Sequence, residues 1–165
     1  MKKICFISSS RADYGLLRNL MAEISACSNI EMQLIATGTH LSLAHGLTIE
    51  QIRKDGFVIN EEIPIITENA DTATDISKNL AQAIVGFSSA YLKLKPDFIL
   101  ILGDRYEILA AAISATISKI PIIHLHGGEL TIGAYDDAFR HAITKMSHIH
   151  FAAADQYKER IIQLG

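Results

Sequence analysis

The sequence predicts a doubly wound α/β domain, a mostly parallel sheet with helices on both faces. Three observations carry this. Short β-rich runs alternate with longer amphipathic stretches along the whole chain. Runs such as FILIL at 98–102 are apolar throughout, as strands covered on both faces are. Polar, charged and glycine residues gather just past the strand ends, the edge at which such folds bind ligands. With 165 residues, 49% of them apolar and 20% charged, the chain suffices for one domain with a real core.

The elements follow in order. Residues 3–8 read as a buried strand and 12–27 as a helix with Leu16, Leu17, Leu20, Met21 and Ile24 on one face. A second strand spans 30–37, and Thr48 N-caps a short helix that ends near Gly56. Residues 57–66 are extended. Asp71 or Thr72 opens a long helix to about Lys93, and Pro96 stops it. The rhythm then repeats: strand 97–103, helix 105–118, strand 121–126, helix 136–147, strand 148–153 and helix 155–164. Leu100, Ile101, Ala111, Ile113, Ile117 and Ile122 are core by pattern. No repeat or linker divides the chain, so residues 1–165 form one Rossmann-like domain.

Charge and composition narrow the function. Fifteen Lys and Arg against eighteen Asp and Glu leave a net charge of −3, with no basic run. Nucleic acid and anionic membrane are therefore not expected partners. The apolar run at the start, Ile4 to Ile7, is far shorter than the roughly 7–15 residues of a secretory core or the ~20 of a membrane span. Cys5 and Cys27 form no close-spaced motif. The reading is of a soluble, cytoplasmic protein.

The strand ends supply the candidates. Ser8 to Gly15 joins a strand to a helix start, where free amides with Arg11 suit a phosphate; equally, Ser10 can cap the helix and leave Arg11 in solvent. There is no G-x-G-x-x-G and no P-loop. His40 follows the second strand in a weaker motif, Gly38-Thr39-His40. Asp104, past a buried strand, is partly desolvated and suited to proton transfer; Arg105 beside it can hold it ionised or bind a phosphate oxygen. A helix-capping Asp104 with a solvated Arg105 is the plainer alternative.

His124 and His126 fall on one face of the predicted strand, one packing beneath the site and the other facing substrate. That spacing can chelate zinc, but no H-E-x-x-H accompanies it, and no metal is expected. Gly127 and Gly128 let backbone approach a ligand and present Glu129. Asp136 and Asp137 open the next helix, where Arg140 is at the spacing of a surface ion pair.

These residues also carry a family resemblance. The stretches KKICFISSSRADYGLL, ATGTHLS, HGLTIEQIRKDGF, LGDRYEILAAA, IPIIHLHGGELTIGAYDDAFRHAITKMSHIHF and YKERIIQLG together resemble the hydrolysing UDP-N-acetylglucosamine 2-epimerases. The likeness covers essentially the whole chain and is most specific over HGGE…RHAITKMSH. It implies one lobe, the amino-terminal one, of a two-lobe glycosyltransferase B-type enzyme that is expected to be a homo-oligomer at full length. It implies no cofactor and a UDP-sugar substrate, either UDP-N-acetylglucosamine or a diacetamido-trideoxy analogue. The family's reaction eliminates UDP across C1–C2 and then hydrates the glycal to the 2-epimer, feeding sialic or legionaminic acid synthesis. Matched by motif, Asp104, Glu129 and Asp136 are the expected catalytic acids. Arg11, His40, Arg105 and His126 are the expected substrate contacts. In the animal and non-hydrolysing relatives a catalytic Glu stands where this chain has His126, so the proton work falls to His126 or Glu129.

Overall fold

A computed structural model describes residues 1–65 and 72–165. Its six strands are β1 (Lys2–Ser8), β2 (Ile30–Thr37), β3 (Glu61–Ile63), β4 (Phe98–Leu102), β5 (Ile122–Leu125) and β6 (Ile149–Phe151). They form one sheet in the order β3-β2-β1-β4-β5-β6, and every pairing is parallel. The helices are α1 (Arg11–Ala26), α2 (Ile49–Lys54), α3 (Ala73–Leu94), α4 (Tyr106–Ile117), α5 (Asp136–Met146) and α6 (Asp155–Leu164). Strand order reverses between β1 and β4, so the carboxyl ends of β1, β2, β4 and β5 flank the crevice such a sheet offers a ligand.

Strand alternation sorts the core into two layers. Cys5, Ile7, Ile99 and Ile101 face Phe87, Tyr91 and the alanines of α4. Phe6 and Leu100 face Leu17 and Met21 of α1 and Ile52 of α2. The predicted helix and strand positions hold to within a few residues, with informative departures. Leu16 is 60% exposed and Ile117 73%, so neither belongs to the core: each sits at the edge of its helix's apolar stripe. The predicted extended segment 57–66 contributes only Glu61–Ile63 to the sheet. Ile66 and Asp71 lie outside the described residues. Thr72 caps α3 by accepting from the Asp75 amide at 3.2 Å.

Candidate active site

The first strand end is filled by the protein itself. Ser10 and Asp13 form a capping box at the start of α1. The buried Asp13 carboxylate accepts from the amides of Ser9 (2.7 Å), Ser10 (2.9 Å) and Tyr14 (2.6 Å), and from the hydroxyls of Ser8 and Ser9. These are the amides expected to cradle a phosphate, and a carboxylate already occupies them. Arg11 is left exposed, the outcome the capping alternative describes.

His40 joins this closed cluster. Its ring is fully buried, with Nε2 2.8 Å from Ser8 Oγ and Nδ1 2.7 Å from Thr48 Oγ1. Because the Ser8 hydroxyl donates to Asp13, it accepts from Nε2–H, and Nδ1 then accepts from Thr48. Burial lowers the imidazole pKa, against the opposing pull of Asp13. Both ring nitrogens are spent, so in this arrangement His40 positions the loop after β2 rather than offering a substrate contact. Thr48 correspondingly makes no side-chain cap on α2. A cavity of about 430 Å³ beside it is lined by Arg11, Tyr14, His40 and Lys54 among others.

The second cluster lies past β4 and β5 and is open. Its hub is Arg140 of α5, 7% exposed. Its guanidinium Nη2 binds Asp104 Oδ2, and Nη1 donates to the carbonyl of His126 at 2.7 Å. Glu129 Oε2 stands 3.8 Å from Nη1, and Glu129 Oε1 pairs with His126 Nδ1 at 2.7 Å. Thr131 bridges Asp104 and Arg140, both at 3.1 Å, and its amide donates to Asp137 at 2.9 Å. Asp104, Glu129 and His126 thus meet on one cation, with 17%, 26% and 35% of their side chains exposed. Asp136 stands within electrostatic reach: burial raises its carboxyl pKa, Asp104 adds to the rise, and Arg105 and Arg140 oppose it.

Several expectations change here. Arg140 does not make a surface pair with Asp136 or Asp137; it turns inward to Asp104. Arg105 does not hold Asp104 but binds Glu107, a buried acid that sequence reasoning passed over. Asp104 does not cap α4, whose N-cap is Arg105. Strand β5 ends at Leu125, and His126 takes a left-handed backbone (φ 61°), so the two histidines part company. His124 is fully buried and donates from Nε2 to the Gly103 carbonyl (2.9 Å), its pKa lowered by burial to about 4. The two glycines serve the protein rather than a ligand. A Cβ at Gly127 would stand 3.0 Å from His124 Nδ1, and one at Gly128 2.3 Å from the Tyr157 carbonyl. The inward turn of Arg140 had one sequence signal: it shares a helical face with the buried Ile143 and Thr144. Among the described residues, no group of three or more His, Cys, Asp or Glu side chains is arranged to hold a metal ion.

The model of the UDP-N-acetylglucosamine 2-epimerase family matches residues 22–165. A hydrolysing GDP/UDP-N,N'-diacetylbacillosamine 2-epimerase of Campylobacter jejuni is 48% identical over 99% of this chain and 42% of its own length. A hydrolysing UDP-N,N'-diacetylbacillosamine 2-epimerase of Legionella pneumophila is 39% identical, over the whole of this chain and 43% of its own. The chain therefore spans about two fifths of the length of the curated relatives it matches. In structure it superposes on UDP-GlcNAc 2-epimerase from Neisseria meningitidis, bound to UDP-GlcNAc, with a TM-score of 0.84 at 19% identity, covering 98% of this chain and 42% of that one. That likeness concerns the fold.

Proposed function

Since the chain belongs to the UDP-N-acetylglucosamine 2-epimerase family, we propose that residues 1–165 are the amino-terminal lobe of a hydrolysing 2-epimerase acting on a UDP-sugar. The observation that supports this most is the convergence on Arg140 of α5 of two loops, the one after β4 through Asp104 and the one after β5 through Glu129 and the His126 carbonyl, with Asp136 beside them. Each of these groups can carry a proton or stabilise charge, and the set lies past the carboxyl ends of β4 and β5, two of the strands that flank the crevice.

The reaction has two steps. A base takes the proton from C2 as the C1–O bond breaks, so the electron pair forms the C1=C2 bond and UDP departs with the bonding electrons. Water then adds its hydroxyl to C1 while an acid returns a proton to C2 on the opposite face. The linked His126–Glu129 pair suits the C2 proton, since each group can pass a proton to the other. Asp136, whose carboxyl holds its proton to higher pH than usual, suits the donating role. Asp104, fixed by Arg140 and Thr131, suits orientation of the sugar and the attacking water. Arg105 and Arg11 supply cations for the departing diphosphate. Acid–base chemistry suffices, with no cofactor.

The substrate is UDP-N-acetylglucosamine, giving N-acetylmannosamine for sialic acid, or the diacetamido-trideoxy analogue of legionaminic acid synthesis. The names of the Campylobacter and Legionella relatives favour the second, and a 40% identical polysialic acid biosynthesis protein of Escherichia coli the first. None of the described helices is long and apolar enough to cross a membrane. A cytoplasmic enzyme, homo-oligomeric at full length, is part of the same reading.

Proton NMR of the full-length enzyme's product in deuterated water tests it. The expected result is free UDP and a free 2-epimeric sugar bearing deuterium at C2. An intact UDP-sugar product would make the enzyme a non-hydrolysing epimerase. A product without deuterium at C2 would overturn both.

A further inference from the structure

Glu107 is the one fully buried carboxylate in the described α4, and the chemistry above makes no use of it. It accepts from Arg105 through two bonds, from Nε at 3.2 Å and from Nη2 at 2.8 Å. The two partners differ sharply in exposure: the Glu107 side chain is 0% exposed and that of Arg105 43%. Gly38, in a left-handed backbone (φ +58°) at the end of β2, makes room for this carboxylate, since a Cβ there would lie 3.0 Å from Glu107 Oε1 and 2.7 Å from the Ser9 carbonyl. The carboxylate is thus wedged at the sheet edge, and it fixes an arginine that reaches out to solvent.

The other cationic or donor groups at this edge differ from Arg105. The amides at the start of α1 are consumed by Asp13. Arg140 has its two Nη groups on Asp104, Thr131 and the His126 carbonyl, and its remaining Nε–H is buried away from the crevice's solvent. Arg11 is exposed and makes no ion pair or side-chain hydrogen bond among the described residues. Arg105 is held in one orientation and still keeps three of its five N–H groups. It follows Asp104 directly in the loop between β4 and α4, at the same strand end as the open acid cluster.

We propose that Glu107 is a positioning residue that locks Arg105 as a preset clamp for the diphosphate of the UDP leaving group. This rests on the UDP-sugar reading above. Fixing a guanidinium before the ligand arrives removes most of the ordering cost of a long side chain, and a planar fork matches phosphate oxygens in a way an ammonium does not. A carboxylate behind the arginine does this without touching substrate.

The test uses the full-length enzyme with UDP as the titrant in calorimetry, and steady-state kinetics beside it. Glu107→Gln and Arg105→Lys are each expected to weaken UDP binding about tenfold, with KM rising in step and kcat falling less. The double variant should bind UDP no more weakly than the worse single one, because both changes remove the same fixed clamp. A purely structural Glu107 would instead lower the melting temperature and leave UDP affinity of the folded fraction alone. If Glu107→Gln does not fold, Arg105→Lys at its exposed position carries the test. Wild-type affinity in Arg105→Lys, or losses that multiply in the double variant, would overturn the clamp. A wild-type enzyme with no affinity for UDP would bring down the parent reading and the clamp with it; wild-type binding that the variants leave unchanged brings down the clamp alone.

Discussion

The two halves of the sheet edge carry nearly the same parts and put them to different use. Past β1 and β2 stand Asp13, His40, Ser8 and Thr48; past β4 and β5 stand Asp104, His126, Glu129 and Thr131. In the first group Asp13 is 6% exposed and His40 0%, and each polar atom described has its partner inside the protein. In the second, the acids and His126 keep between a sixth and a third of their side-chain surface in solvent, and Arg140 Nε is a buried donor with no partner. Unspent hydrogen-bonding capacity next to open space separates a reactive cluster from a structural one, and residue type does not.

The largest effect should come from the closed half. Asp13→Ala takes the acceptor from five donors, of which the Tyr14 amide alone keeps another, the Ser10 carbonyl at 3.1 Å, and is expected to cost about 4 kcal/mol of stability, read from the urea midpoint. If the variant were as stable as wild type but inactive, the comparison would be broken.

The open half should respond in rate. Glu129→Gln in the full-length enzyme is expected to lower turnover by about 10²-fold with stability within ~0.5 kcal/mol. Asp104→Asn should match that loss in turnover but also destabilise by roughly 1–3 kcal/mol, since it strips the charge from the partner of the buried Arg140. Full turnover in Glu129→Gln would move the proton transfer to His126.

Beneath the site, His124 should make stability depend on pH. Its folded pKa, about 4, lies below the ordinary 6.5, so the unfolded chain binds a proton that the folded one refuses. Its contribution is complete above pH 6.5 and is lost as pH falls toward 4, amounting to about 2 kcal/mol by pH 5. His40 and His150, also lowered by burial, add in the same direction. Denaturation at pH 7 and pH 5 checks this, and His124→Gln should flatten the difference. The smallest effect sharpens the role of the α1 start: Ser10→Ala removes the cap and should cost about 1 kcal/mol, with no change in UDP affinity. A change in UDP affinity would return the phosphate to the helix start.

The order of elements, the parallel sheet and the edge on which the chemistry gathers were legible in the chain alone, as was the family through its motifs. Local periodicity and the handedness of βα units act within a few residues of each other, so sequence carries them directly. Asp104, Glu129, Asp136 and Arg105 could be placed at that edge by counting from strand ends. Their partners could not. Asp104 meets Arg140 across 36 positions, and Glu107 takes Arg105 two residues away in place of the neighbour expected. Whether Asp13 fills the amides at the start of α1, and whether Gly127 and Gly128 face a ligand or His124 and α6, turns on ångström-scale packing between segments far apart in sequence. Pairing and burial at that range are settled by which helices lie against which strand ends, and the tertiary structure alone decides that.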